Sequence, residues 1–158
     1  MKTLAIDPAY SGPTGYALFT NDTLIRYGHL EAEAWEWDVR RKLLGLANRL
    51  VIEGQYIHLN GQTGRLLNGQ TALKLVEARC LWTIPARDHF GIEAHEMQPQ
   101  EWQSKVQRGW RRGVKKDYAL IRQYVEGRFS ISGVTQDEAS AICIGAVFLD
   151  LEKMRGKK

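Results

Sequence analysis

Two short apolar runs in this chain each end in a single acid. They are Ala5-Ile6-Asp7-Pro8 near the start and Val51-Ile52-Glu53-Gly54 in the middle. A third segment, Thr135-Gln136-Asp137-Glu138-Ala139-Ser140-Ala141, carries its acids at the mouth of a small-residue, apolar helix. A folded core rarely tolerates such acids unpaired, so whatever fold forms must give them a shared purpose or an exit to water. Three carboxylates gathered from distant parts of a chain are how a protein holds magnesium beside a phosphate.

The pattern around these segments predicts a mixed α/β class. Residues 2–7 read as a buried strand, with Gly12, Pro13 and Gly15 marking the turn after it. Residues 15–20 and 23–30 then form two strands joined at Asn21-Asp22, which completes a meander. Val39, Leu43, Leu44, Leu46 and Ala47 place an amphipathic helix over 37–47, and 50–53 form a fourth strand. A polar connection over 61–70, with a helical turn at 65–67, leads to a helix over 71–82. A fifth strand is placed at 91–93, and Pro99 opens a helix to Val106. Two further helices cover 116–127 and 135–153, with a frayed basic tail over 153–158.

The 158 residues suit one domain over 1–158. Cys80 and Cys143 read as small core side chains in a reducing compartment, and their spacing excludes a zinc signature. No signal peptide opens the sequence and no apolar run reaches bilayer-spanning length, so a soluble cytoplasmic protein is expected. The net charge of +4 is compatible with a nucleic-acid partner.

Asp7 and Glu53 come together if the first and fourth strands are neighbours. The bland alternatives are a turn aspartate and a solvent-exposed edge glutamate. Gly54 lets a backbone or ligand come close to Glu53. Thr135 and Glu138 fit a capping box, which explains Glu138 without any metal. Asp137, Ser140, Ala141 and Ile144 share one face of that helix, and the small residues bring Asp137 toward the strand ends. Converged acids of this kind accommodate two divalent ions for in-line attack on a phosphodiester. Lys115 or Lys116 is placed to neutralise the scissile phosphate.

The stretch from Lys105 to Lys116 holds six cations in twelve residues, namely Lys105, Arg108, Arg111, Arg112, Lys115 and Lys116, around Trp110. That composition fits a duplex backbone. Tyr56, three residues past Glu53, is suited to stacking on an unpaired base. His29, His58, His89 and His95 have no metal-ligand spacing and receive no role.

Taken in order, these segments resemble the RuvC-type Holliday-junction resolvases of the RNase H-like superfamily. Ala5-Ile6-Asp7-Pro8 with Thr14-Gly15-Tyr16 is similar to the family's opening strand, and Val51-Ile52-Glu53 to its second acidic strand. Residues 71–79 resemble its long central helix, Lys115-Lys116 its basic helix start, and residues 137–142 its terminal acidic helix. The resemblance implies an RNase H-like fold, a mixed five-stranded sheet flanked by helices. It implies a homodimeric, magnesium-dependent endodeoxyribonuclease that nicks opposed strands of a four-way DNA junction, with manganese as a substitute ion. It further implies Asp7, Glu53 and Asp137 as metal ligands and Tyr56 as a probe of the junction centre.

The chain departs from the family where a second acid is usual, one turn after Asp137. That position is Ser140, a much poorer magnesium ligand. Glu138 lies about 100° round the helix from Asp137, on a different face. Three alternatives follow: a junction-binding protein with weakened catalysis, a related nuclease acting on structured RNA or hybrids, and an actin-like kinase. The kinase needs a second subdomain for which this length leaves no room.

Overall fold

A computed structural model of the chain describes residues 1–31, 36–54, 69–107 and 116–156. The meander forms as expected from β1 (Lys2–Asp7), β2 (Thr14–Thr20) and β3 (Thr23–Leu30), all antiparallel. Helix α1 (Trp37–Leu44) leads into β4 (Arg49–Glu53), which pairs parallel to β1 with Ile6 opposite Ile52. Helix α2 (Gly69–Phe90) connects to β5 (Ala94–Met97), parallel to β4. Helices α3 (Pro99–Val106), α4 (Tyr118–Phe129) and α5 (Gln136–Arg155) follow. The result is a mixed five-stranded sheet in the order β3-β2-β1-β4-β5, flanked by helices.

The pleat divides the core in two. Leu4, Ile6, Leu50 and Ile52 face one cluster with Leu43, Leu44, Trp82 and Ala86 of α1 and α2. Ala5 and Val51 face the other, with Trp102 of α3, Ile121 and Val125 of α4, and most of α5. Side chains alternate along a strand, so Asp7 and Glu53 belong to the second face. That face is covered by α5, whose residues from Ala139 to Leu149 are all buried.

Small residues let α5 lie close to the sheet. A β-carbon on Gly145 would collide with the Phe19 ring and stand 2.9 Å from the Ala5 methyl. Gly145→Ala is therefore expected to destabilise the protein by about 1–3 kcal/mol. An unchanged denaturant midpoint would contradict this packing.

Several boundaries differ from expectation. Helix α1 stops at Leu44; Leu46 and Ala47 lie in the following turn, held by N–H bonds to Leu43 and Leu44 carbonyls at 3.1 and 3.0 Å. Helix α2 runs through Pro85 instead of ending at Trp82. Proline removes one helical N–H, but Trp82 and Ala86, four apart on one face, are both locked into the core. The longer helix displaces the fifth strand from 91–93 to 94–97, and Ile92 is buried as a loop residue. Helix α4 begins at Tyr118 because the Asp117 side chain caps it, accepting from the Ala119 and Leu120 N–H groups. The tail is ordered further than expected. Residues 153–155 continue α5, and Lys153 pairs with Asp22 at 2.7 Å. The turn expected at 65–67 lies outside the described residues. Among the described residues no helix is long and apolar enough to cross a membrane.

Candidate active site

The parallel pairing of β1 and β4 places Asp7 and Glu53 side by side at the same end of the sheet. Glu53 is not an edge residue, because β5 flanks β4 on the other side. It is 5% exposed, and a carboxylate that deep needs partners. Two are present. The Trp102 indole N–H donates to Glu53 Oε1 at 2.9 Å, and Lys116 Nζ lies 3.4 Å from the same oxygen. The Lys116 ammonium also stands 5.1 Å from the Trp102 ring centroid. The indole thus holds the acid by its edge and the cation by its face.

Asp137 arrives from the first turn of α5. The Thr135 hydroxyl accepts from the Glu138 N–H at 3.3 Å, and Glu138 Oε2 accepts from the Thr135 N–H at 2.8 Å. This is the expected capping box. The close approach depends on Gly15, which lies opposite Asp7 in the sheet. A β-carbon there would collide with the Asp137 carbonyl. The three acids border a cleft of about 420 Å³, with the 8–11 loop, Lys74 and Leu75 on its walls.

The electrostatics are those of crowded carboxylates. Burial, then the Glu53 charge, push Asp7 up to about 7 from the ordinary 3.8, with Lys116 opposing. Burial and then Asp7 raise Asp137 as well. Burial alone would depress the Lys116 ammonium, but Asp7 and Glu53 outweigh it and the group is pushed up to about 12. Near neutral pH the Asp7 carboxyl therefore keeps its proton part of the time.

The sequence matches no protein-family model and no curated protein sequence. Solved structures do match. RuvC from T. thermophilus in complex with a Holliday junction substrate aligns with a TM-score of 0.70 at 13% identity, over 98% of this chain and 96% of that one. A second Thermus thermophilus RuvC structure aligns at 0.68 and 14% identity, with the same coverage. The yeast mitochondrial Holliday junction resolvase Ydc2 aligns at 0.59 and 10% identity, over 96% of this chain and 78% of that one. The chain has the RuvC fold. The expected RNase H-like architecture is thereby established.

Within the RuvC fold, the oxygen donors of Asp7, Glu53 and Asp137 suit a hard divalent cation. Among the described residues no three acidic, histidine or cysteine side chains are close enough to enclose an ion unaided. Magnesium commonly uses one or two carboxylates and keeps several waters, so the pair at the strand ends with Asp137 on the cleft wall fits that chemistry.

Ser140, one turn along α5, is 1% exposed. Its hydroxyl slightly favours the ionised form of Asp7 but makes no well-formed hydrogen bond. Glu138 faces elsewhere, with Oε1 3.0 Å from His29 Nδ1 on β3 and Oε2 in the capping box. That hydrogen bond raises the His29 pKa. The histidine assigned nothing by spacing therefore braces the third acid's helix.

Of the basic stretch, Lys116 is brought to the acids and Lys105 is exposed in the last turn of α3. Arg108, Arg111, Arg112, Lys115 and Tyr56 lie outside the described residues. The chain order did not single out Trp102 or Lys74. Trp102 gave only an apolar signal on a short helix. Lys74, its ammonium 4.7 Å from the Tyr10 ring centroid, lies in the helix expected over 71–82.

Proposed function

We propose that this protein is a divalent-metal-dependent endonuclease acting on branched DNA, with four-way junctions as its preferred substrate. The observation that carries the reading is the pairing of Asp7 with Glu53 at adjacent parallel strand ends, facing Asp137, in a chain with the RuvC fold. The T. thermophilus RuvC that aligns at a TM-score of 0.70 is in complex with a Holliday junction substrate.

In this reading Asp7, Glu53 and Asp137 hold magnesium, with manganese as substitute. The bound ion would activate water and stabilise charge on the phosphate. Trp102 keeps Glu53 aimed at the cleft. Lys116 keeps a positive charge beside the reacting phosphate, where developing negative charge is stabilised without reorganisation. Lys105, Arg108, Arg111, Arg112 and Lys115 supply backbone contacts that position the duplex arms. Tyr56 stacks on a base exposed at the branch point. Opposed nicks need two such sites, so the working unit is a homodimer. A junction-binding protein with weakened catalysis is the second reading, favoured by Ser140 in place of an acid.

The test is a substrate panel in magnesium at pH 8. A four-way DNA junction is expected to be nicked at least about tenfold faster than linear duplex or RNA–DNA hybrid, a preference of roughly 1.4 kcal/mol. Faster cutting of the hybrid would replace this reading with a ribonuclease. Tight junction binding without nicking, in magnesium or manganese, would favour the second reading.

A further inference from the structure

The acid cluster already contains a cation. Fully ionised, the three carboxylates carry three negative charges. Lys116 returns one positive charge, its Nζ 3.4 Å from Glu53 Oε1 and 5.1 Å from the Trp102 ring centroid. It is not a passing surface lysine. The Asp117 side chain next to it is fixed as the α4 cap, and its own side chain is 23% exposed. The balance is two net negative charges, which one divalent ion neutralises.

The ligand count leads to the same number. The position that follows Asp137 by one helical turn is Ser140, whose buried hydroxyl lies beside Asp7 with no hydrogen-bond partner. A neutral hydroxyl adds no charge and is a weak ligand for a hard cation. Glu138 cannot make up the deficit, because both its oxygens are engaged by Thr135 and His29. Lys74 is exposed on the cleft wall and screened by water.

We infer that each chain binds one divalent ion rather than two, with Lys116 as the built-in second positive charge and Ser140 withholding the fourth carboxylate. This rests on the metal-dependent reading above. The same arrangement makes Lys116 a competitor of the ion. Its removal should tighten metal binding, although it would remove the charge that serves the phosphate.

Isothermal titration of the DNA-free protein with Mn²⁺ at pH 8 tests this without any turnover. The expected result is one Mn²⁺ per wild-type chain. Ser140→Asp is expected to bind two, and Lys116→Met to bind its single ion about tenfold more tightly, as removal of a nearby like charge requires. Two ions on the wild-type chain, or weaker binding by a folded Lys116→Met, would overturn the inference and leave the nuclease reading intact. No binding by the wild type would overturn the metal-dependent reading itself and this inference with it. The wild-type stoichiometry decides even if a variant fails to fold.

Discussion

Asp7→Asn is expected to be more stable than the wild type above pH 7 in the absence of metal, and no more stable below pH 4. Burial and Glu53 hold Asp7 at about 7 in the folded chain, against an ordinary 3.8. Below both values the carboxyl is protonated whether folded or not, so it adds no pH-dependent cost. Between them the unfolded chain releases a proton that the folded chain keeps, and stability falls as pH rises. Above about 7 the full cost remains, on the order of 1–4 kcal/mol. Asparagine never ionises and escapes it. Saturating Mg²⁺ should reverse the order, because it binds the folded wild type and repays the repulsion by mass action. Thermal melts of both proteins at pH 4 and pH 8, with and without Mg²⁺, check each part. A wild type that outlasts the variant at pH 8 without metal would contradict the crowding of Asp7 and Glu53.

The second large effect belongs to Trp102. Its ring fills the core between α3 and the sheet with no exposure, and its N–H satisfies the buried Glu53 at 2.9 Å. Trp102→Ala is expected to lose about 3–5 kcal/mol by leaving a cavity. That is a large share of a typical domain's stability. Trp102→Phe keeps most of the volume and a face for Lys116 but deprives Glu53 of its donor, at a cost of about 1–3 kcal/mol. If Trp102 also positions the acid, the phenylalanine variant should weaken Mn²⁺ binding while remaining folded, a change that packing alone does not produce. Equilibrium denaturation and Mn²⁺ titration of the two variants separate these contributions. A phenylalanine variant indistinguishable from wild type in both would remove Trp102 from the site.

Asp7 and Glu53 were legible because each closes an apolar run, and a strand's alternation puts them on the face opposite Ile6 and Ile52. Asp137 was legible through its capping box and the small residues behind it, local features that survive in any fold context. The fourth participant was half legible. Lys116 stood out as a cation, but its capture by Glu53 depends on the cap at Asp117 and on Trp102, which lies 49 positions from Glu53 in the chain. No local pattern encodes such a contact. The same limit explains the misplaced fifth strand. Pro85 reads as a helix stop, and only the tertiary burial of Trp82 and Ala86 carries the helix past it. His29 was silent because its partner, Glu138, is 109 positions away.

In the proposed function, Asp7, Glu53 and Asp137 form one metal-dependent cutting site. Its most direct test is to incubate a labelled mobile four-way junction with the protein in Mg²⁺ at pH 8, beside Asp7→Asn. Paired nicks on opposed strands that depend on Mg²⁺ and drop by at least about a thousandfold in the variant are the predicted result, an effect of roughly 4 kcal/mol on the barrier. Nicking that persists undiminished in Asp7→Asn would contradict it.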